Sequence, residues 1–319
     1  MNLLMNTKLS RTTCWILTAA ISVTFGLQTG ANQAYAAVQS TDSTKGAPLT
    51  TGISHAEAVY KASLPLLKAT DQLPKAITYL NTNMYAVGSY RATIMTLMLE
   101  NAQKAALDSW VSKFSSSTIQ RKLNASYKPG LSMNKLAEEV DDLSLRTLLR
   151  TAAESGYKLE NAEGSFFPVI DYSTYRKYKL YVTNDIRHYI SIMAAESDLP
   201  SAKDNGLIIA WTEVTSRALF QESFIKSYPN SNRVAAVKAL YNTYLVDTFY
   251  GLNNTPLFHY DNLEMDLEAQ KAYSALLSKR EDRTPYLEKL EGFMKLLKVN
   301  NYTLDDNIEV YRSKEAPKS

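Results

Sequence analysis

Apolar residues recur three and four positions apart through most of the chain beyond residue 53. This spacing places them on one face of an α-helix, so it predicts a mainly helical protein. The longest such segment ends near Phe114, and its apolar positions are Ile94, Leu97, Met98, Leu107, Trp110, Val111 and Phe114. Other periodic segments are predicted as helices at 183–195, 204–228, 231–249, 263–277 and 286–298.

Residues with known capping roles mark the ends of several predicted helices. Ser54 and Glu57 have the spacing of a capping box, which predicts a helix start. Pro65 predicts that this first helix stops or bends, because proline lacks the backbone N–H that a helix interior needs. Thr284 followed by Pro285 predicts another helix start, with a cap residue before proline at the first helical position.

One segment, 157–170, lacks helical periodicity. Its first part alternates apolar and polar residues, and Gly164 precedes the short apolar run Phe166-Phe167-Pro168-Val169-Ile170. A small β-hairpin and an ordered apolar loop both fit this pattern. The predicted fold class is therefore all-α, an array of about ten antiparallel helices of helix-hairpin or α-solenoid type, with a small β or loop insertion near 157–170.

The segment from Phe224 to Tyr244 contains, in order, an aromatic residue, a Tyr-Pro turn, Ser231 in a capping position and a new amphipathic helix. This order resembles a helix junction of tetratricopeptide-like proteins. The resemblance covers about 25 residues and lacks the small-residue and Trp-Leu-Gly positions of that family. Segments 224–244 and 277–297 also align at an offset of 53 residues, longer than the usual period of about 34. The resemblance implies an antiparallel helix-hairpin array and nothing about catalysis.

Residues 1–36 have the parts of a secretory signal peptide. Lys8 and Arg11 form a basic start, an apolar stretch runs over 14–27, and Ala34-Tyr35-Ala36 matches the pattern that signal peptidase cleaves. A largely apolar stretch of fourteen residues is shorter than the about 20 residues that span a bilayer. We therefore predict a secreted, extracellular or cell-envelope protein with no integral membrane span after cleavage.

The remaining chain divides into three predicted parts. Residues 37–52 are rich in Ser, Thr, Gly and Pro and have few apolar positions, which predicts a disordered leader. Residues 53–312 form the helical domain. Residues 313–319 form a polar tail that is predicted to fray.

Composition excludes several classes of function. The signal peptide carries two of the 35 basic residues and none of the 32 acidic ones, so the rest of the chain is nearly neutral and shows no basic block typical of nucleic-acid binding. The single cysteine, Cys14, lies in the signal peptide, so the mature protein has no disulfide and no thiol nucleophile. The three histidines are far apart in sequence and show no zinc-binding spacing. No cofactor or metal is therefore predicted.

Three tyrosines, Tyr172, Tyr175 and Tyr178, lie three residues apart among basic residues. On a helix they form a stripe that could bind a sugar polymer or an anionic wall polymer through ring stacking and charge. The alternative is that the rings pack against a neighbouring helix while the basic residues face solvent.

The loop 251–261 combines directional polar groups with aromatic rings. Asn253, Asn254, His259 and Tyr260 are its candidate binding residues, because loops held by a rigid scaffold often carry recognition. The alternative is a structural corner in which the asparagines cap helix ends and Phe258 is buried.

These features favour a secreted or cell-surface helical interaction protein that is not catalytic and binds a protein or an envelope polysaccharide. The competing hypothesis is a secreted hydrolase of cell-wall polymers that uses carboxylates such as Glu196 and Asp198. The two differ in geometry: an enzyme needs carboxyls that converge in a cleft, whereas a binder needs an accessible surface of polar and aromatic groups.

Secreted material is expected to begin at Ala37 or within a few residues of it, because cleavage follows Ala36. N-terminal sequencing of protein from the medium or the cell envelope measures this start. Membrane-bound protein that kept Met1 would contradict the export prediction.

Overall fold

The computed structural model describes residues 54–279 and 283–318. The predicted signal peptide and leader lie outside these residues. Within them the all-α prediction is confirmed, with twelve α-helices and three two-stranded hairpins. No helix in these two ranges combines the length and the apolar character needed to cross a bilayer.

The helices are α1 (His55–Lys68), α2 (Leu73–Asn83), α3 (Gly88–Phe114), α4 (Ser117–Ser126), α5 (Met133–Glu139), α6 (Leu143–Glu154), α7 (Asn184–Asp198), α8 (Trp211–Ser227), α9 (Val234–Tyr250), α10 (Leu267–Lys279), α11 (Pro285–Val299) and α12 (Asp306–Glu315). The strands are β1 (Tyr157–Ala162), β2 (Ser165–Ile170), β3 (Ala202–Lys203), β4 (Gly206–Leu207), β5 (Gly251–Leu252) and β6 (Thr255–Pro256). Three short 3-10 helices complete the described structure, at Thr70–Gln72, Met84–Ala86 and Tyr172–Tyr178.

Helix α1 begins where the sequence predicts, but it ends beyond its predicted end at Pro65. The Ser54 hydroxyl accepts a hydrogen bond from the Glu57 backbone N–H at 3.3 Å, as a cap does. The sequence predicts that the helix stops or bends at Pro65. It does not stop there, because the helix continues to Lys68. Pro65 lies in the last turn, where the Leu67 side chain is only 3% exposed, and this burial holds the turn in place.

The segment 157–170 is a β-hairpin, which resolves the choice between hairpin and loop. Strands β1 and β2 pair antiparallel from Tyr157 opposite Ile170 to Ala162 opposite Ser165. The turn residues Glu163 and Gly164 have φ values of 49° and 75°. Positive φ at both central residues is typical of the type I′ turn, whose twist matches that of a hairpin.

The predicted helix at 204–228 is wrong over its first seven residues. Asp204 and Asn205, with φ values of 49° and 59°, form the turn of the β3–β4 hairpin, and α8 begins only at Trp211. Similarly, β5 and β6 pair within the loop after α9, and α10 begins at Leu267 rather than near residue 263.

The polar tail is more ordered than its sequence predicts. Helix α12 continues to Glu315, and Ala316 is fully buried. The Lys289 ammonium donates to the Glu315 carboxylate at 2.5 Å and to its backbone carbonyl at 3.1 Å. Contacts with α11 therefore hold residues that composition alone marks as frayed.

The apolar core forms two large clusters and a small one between them. The first surrounds α3 and extends from Val59 to Ile190, and the second gathers α8 to α12 from Ile209 to Ala316. The small cluster consists of Tyr189, Ile192, Phe224 and Val237, contributed by α7, α8 and α9.

A buried carboxylate joins the two halves of the sequence. The Glu100 side chain of α3 is 2% exposed, and its Oε2 accepts hydrogen bonds from Nε and Nη2 of Arg233 at 2.8 and 2.7 Å. Its Oε1 accepts from the hydroxyls of Tyr172 and Tyr189 at 2.8 and 2.5 Å and from the Lys104 ammonium at 2.7 Å. Burial raises the pKa of Glu100, but the cations of Arg233 and Lys104 outweigh it and hold the pKa below its usual value.

Glu100→Ala is expected to lower the free energy of unfolding by about 3–5 kcal/mol, because it leaves a largely buried guanidinium and two tyrosine hydroxyls without their acceptor. Urea unfolding followed by circular dichroism measures the change. Glu268→Ala is the control, because its ion pair with Lys271 is exposed and contributes about 1 kcal/mol or less. Equal effects of the two substitutions would contradict the role assigned to Glu100.

Candidate functional site

The tyrosine stripe is part of the core, so the prediction that it forms a surface platform is wrong. Tyr172, Tyr175 and Tyr178 lie on a 3-10 helix and are 9%, 2% and 2% exposed. Each hydroxyl donates to a polar side chain of an earlier helix, in turn Glu100, Gln103 and Asn81. Rings that are buried in this way cannot stack on a polymer, and the packing alternative accounts for them.

The basic residues of the same segment lie on the protein surface. Arg176 and Lys177 are exposed, and the Arg176 guanidinium forms an ion pair with Asp198 at the end of α7. That hydrogen bond holds the pKa of Asp198 below its usual value. One of the two carboxylates of the hydrolase hypothesis is thus paired on the surface.

Three hairpin turns from distant parts of the sequence meet at one exposed edge. The Asn254 side-chain amide donates to the Asp204 carbonyl at 2.6 Å, and the Asn254 backbone N–H donates to the Asn205 carbonyl at 2.8 Å. The Glu163 N–H donates to the Asp204 carboxylate at 3.2 Å. These bonds join the turns of β1–β2, β3–β4 and β5–β6 into a single surface.

We call this edge the hairpin-tip surface, and it consists of Asn161, Lys203, Asp204, Asn205, Asn253 and Asn254. The Lys203 ammonium also donates to the Asn161 amide oxygen at 2.7 Å. Gly206 permits the close approach of the second and third hairpins, because a Cβ there would lie 3.3 Å from both Asn254 Cβ and Thr255 Oγ1. The surface is therefore fixed by its own hydrogen bonds and by close backbone packing.

The loop after β6 extends this surface. Tyr260 is 74% exposed, and its hydroxyl donates to the Asn253 carbonyl at 3.1 Å. His259 is also exposed, and its backbone N–H donates to the Glu264 carbonyl at 2.9 Å. Phe258, in contrast, is 5% exposed and anchors the loop in the second core cluster.

The four predicted loop residues thus lie together, and they differ in what they do. The Asn254 amide is occupied by the link between hairpins, and it does not cap a helix end as the corner alternative expects. Among the residues that the structure describes, the Asn253 side chain and the His259 ring have no hydrogen-bond partner. Asn253, His259 and Tyr260 therefore keep accessible polar groups beside an ordered backbone.

The turn Asp204-Asn205 belongs to the site and was missed by sequence reasoning. A signal for it exists, because Asp204-Asn205-Gly206 is a composition typical of tight hairpin turns. The helical spacing of Ile208, Trp211 and Val214 extends the apolar pattern toward this turn and hides the signal.

Glu196 is paired internally, away from Asp198. Its carboxylate accepts from the Tyr244 hydroxyl at 2.7 and 2.8 Å and lies 3.3 Å from Nη1 of Arg217. Burial raises the pKa of Glu196, against the lowering effects of the Tyr244 hydrogen bond and the Arg217 charge. Glu196 and Asp198 are held by different arginines and do not form an opposed catalytic pair.

A second carboxyl lies close to Glu196 in the core. Asp247 of α9 is 4% exposed, and burial together with the Glu196 charge raises its pKa to about 7. A carboxyl with a raised pKa is one mark of an active site. Asp247 is too deeply buried for substrate access, so we assign this pair to stability. No group of three or more His, Cys, Asp or Glu suited to a metal ion occurs within 54–279 and 283–318.

Asp247→Asn is expected to stabilise the protein above pH 7. The folded-state pKa is raised, so folding favours the protonated acid, and the free energy of unfolding falls as pH rises from about 4 to about 7. The variant should lack this contribution, which amounts to at most about 4 kcal/mol. Thermal or urea unfolding from pH 4 to 8 measures it.

Asp198→Asn serves as the comparison, because the pKa of Asp198 is lowered and its effect has the opposite sign. That variant should lose a small stabilisation at neutral pH, since its ion pair with Arg176 is half exposed. An Asp247→Asn variant no more stable than the wild type at pH 8 would refute the assignment.

Neither the protein-family models, nor the curated proteins, nor the solved structures contain a match to this chain. The tetratricopeptide-like resemblance of 224–244 therefore stays a prediction. In the structure, α8 and α9 do pack against each other around the Tyr228-Pro229 turn, but Ser231 is not the cap. The Ser231 hydroxyl accepts from the Arg233 backbone N–H at 3.3 Å and donates to Asp185 at 2.7 Å.

Proposed function

We propose that this protein is an exported, non-catalytic interaction protein that binds a protein or an envelope polymer through the hairpin-tip surface and the adjoining Tyr260 loop. The observation that carries the proposal is the joining of three hairpin turns into one exposed edge. Exposed turns that served only to reverse the chain would not need hydrogen bonds to one another.

The order of this surface favours binding. Recognition by groups that are already fixed loses less conformational entropy than recognition by mobile loops. Tyr260 offers a large, mostly exposed ring beside the free Asn253 amide, and tyrosine is enriched among residues that dominate binding energy. Leu263 and Leu267, which are 46% and 57% exposed, add apolar surface along the same stretch of chain.

The hydrolase alternative has weaker support. Its two carboxyls are engaged by Arg217 and Arg176, and the raised pKa of Glu196 comes with burial rather than with an open cleft. Both arginines neutralise charge that carboxylate catalysis would use. We therefore favour recognition over hydrolysis.

A photo-crosslinking residue at position 260 is expected to capture a partner from secreted and envelope fractions. The same residue placed at position 90 is the matched control, because Tyr90 and Tyr260 are 73% and 74% exposed. Tyr260→Ala should weaken binding of the captured partner by about 1–3 kcal/mol, the range typical of a dominant contact, with the melting temperature nearly unchanged.

Asn254→Ala separates stability from binding. It removes a hydrogen bond between hairpins and should lower the free energy of unfolding by about 1 kcal/mol, whereas Asn253→Ala should not. Equal crosslinking from positions 260 and 90, or a loss of binding that only follows the loss of stability, would rule out the hairpin-tip surface as the binding site.

A further inference from the structure

A strip of aromatic rings lies on α7, on α8 and on the residue that follows α8, outside the hairpin-tip surface. The His188 ring lies between Phe220 and Tyr228, with centroid distances of 6.2 and 5.3 Å. Phe220 is 41% exposed, and Tyr228 rests on the buried Phe224 at 5.3 Å. We call Phe220, His188 and Tyr228 the aromatic strip.

A polar groove of about 360 Å³ adjoins the strip at Tyr228. It lies between the start of α7 and the connection from α8 to α9, and its polar residues are Asn184, Asp185, Ser227, Asn230 and Ser231. It is shallow and open to solvent, so a ligand would bind along the surface rather than in an enclosed cavity. The groove and the strip together form a site with an apolar side and a polar side.

Hydrogen bonds fix the orientation of this site. Nδ1 of His188 lies 2.8 Å from the Asn184 carbonyl and 3.1 Å from the Tyr228 hydroxyl, which holds the imidazole between the two flanking rings. The Asp185 carboxylate accepts from the hydroxyls of Thr183 and Ser231 at 2.5 and 2.7 Å. Two bonds leave lone pairs of this carboxylate available to a ligand.

The same contacts argue against a nucleophilic triad. In a triad the serine donates to histidine, and histidine donates to the acid. Here Ser231 donates directly to Asp185, and the contacts of His188 Nδ1 are the Asn184 carbonyl and Tyr228. The arrangement of acid, histidine and serine is therefore suited to holding a ligand rather than to activating the serine.

We propose that the aromatic strip and the polar groove bind a neutral saccharide. A sugar ring has an apolar C–H face that can stack on Phe220 and Tyr228, and a rim of hydroxyls that both donate and accept hydrogen bonds. Asp185 accepts from such hydroxyls. The side-chain amides of Asn184 and Asn230 can donate to them, since neither has a partner among the described residues.

The charge of the site selects the class of sugar. The Asp185 carboxylate lines the groove, and the neighbouring polar groups are amides and hydroxyls rather than cations. An anionic sugar would be repelled by Asp185, whereas neutral hexose and N-acetylhexosamine units would not. This inference goes beyond the proposed function, because it adds a second site with a ligand of stated chemistry.

Isothermal titration calorimetry with cellohexaose, chitohexaose and maltohexaose tests the proposal on the purified chain. We expect saturable binding of at least one of them. Phe220→Ala and Asn230→Ala should each weaken that binding at least tenfold, and Phe220→Trp should keep it. Circular dichroism melts establish that each variant is folded, as expected for substitutions at exposed positions.

Tyr85→Ala is the matched control, because Tyr85 is 73% exposed and outside the strip. It should leave the dissociation constant unchanged, and so should Tyr260→Ala, whose effect belongs to the proposed function. Absence of binding to all three oligosaccharides would overturn the proposal. So would binding that survives both Phe220→Ala and Asn230→Ala, or that is equally weakened by Tyr85→Ala.

Discussion

A buried carboxylate, Glu100, links the two halves of the described chain. Glu100 lies near the middle of the longest helix, and Arg233, which pairs with it, is 133 residues further along the chain. A carboxylate in the core is expensive to desolvate, and it is tolerated here because cations and hydroxyls satisfy both of its oxygens. The hydrogen bonds to Glu100 fix the position of each of these donor side chains. The buried charge therefore determines how α3, α7 and the start of α9 pack together.

Tyrosine side chains make many of the hydrogen bonds that position the helices. An aromatic ring fills core volume and its hydroxyl reaches one polar partner, so tyrosine can connect apolar packing with a specific hydrogen bond. Tyr175 and Tyr157 both bind Gln103, Tyr244 binds Glu196, and Tyr273 binds the Thr248 carbonyl. These tyrosines are therefore engaged in internal bonding, while exposed rings such as Tyr260 and Phe220 are the ones available for recognition.

Local chemistry explains which elements the sequence could predict. Thr284 and Pro285 act within one helical turn, so the start of α11 can be derived from them alone, and the Thr284 hydroxyl does accept from the Leu287 N–H. The hairpin around Gly164 is only half predictable in this way, because the glycine favours a turn but the apolar run after it also fits a loop. The pairing of Glu100 with Arg233 has no local signal, because its partners are distant in sequence. The spacing of the tyrosine stripe fits a buried face and an exposed face equally well. Whether the rings are buried depends on the helices that pack against them, which are distant in sequence.

The hairpin-tip surface also has a place in the order of folding. Its bonds connect residues 41 and 50 positions apart, whereas each helix is closed by contacts four residues apart. A contact between distant residues costs chain entropy to close the loop before its favourable energy is gained. Such contacts therefore form after the local ones. Exposed bonds of this kind belong to the low-stability end of a structure and open before the core does. The edge best suited to recognition therefore assembles after the helices and exchanges its amide hydrogens before the core does.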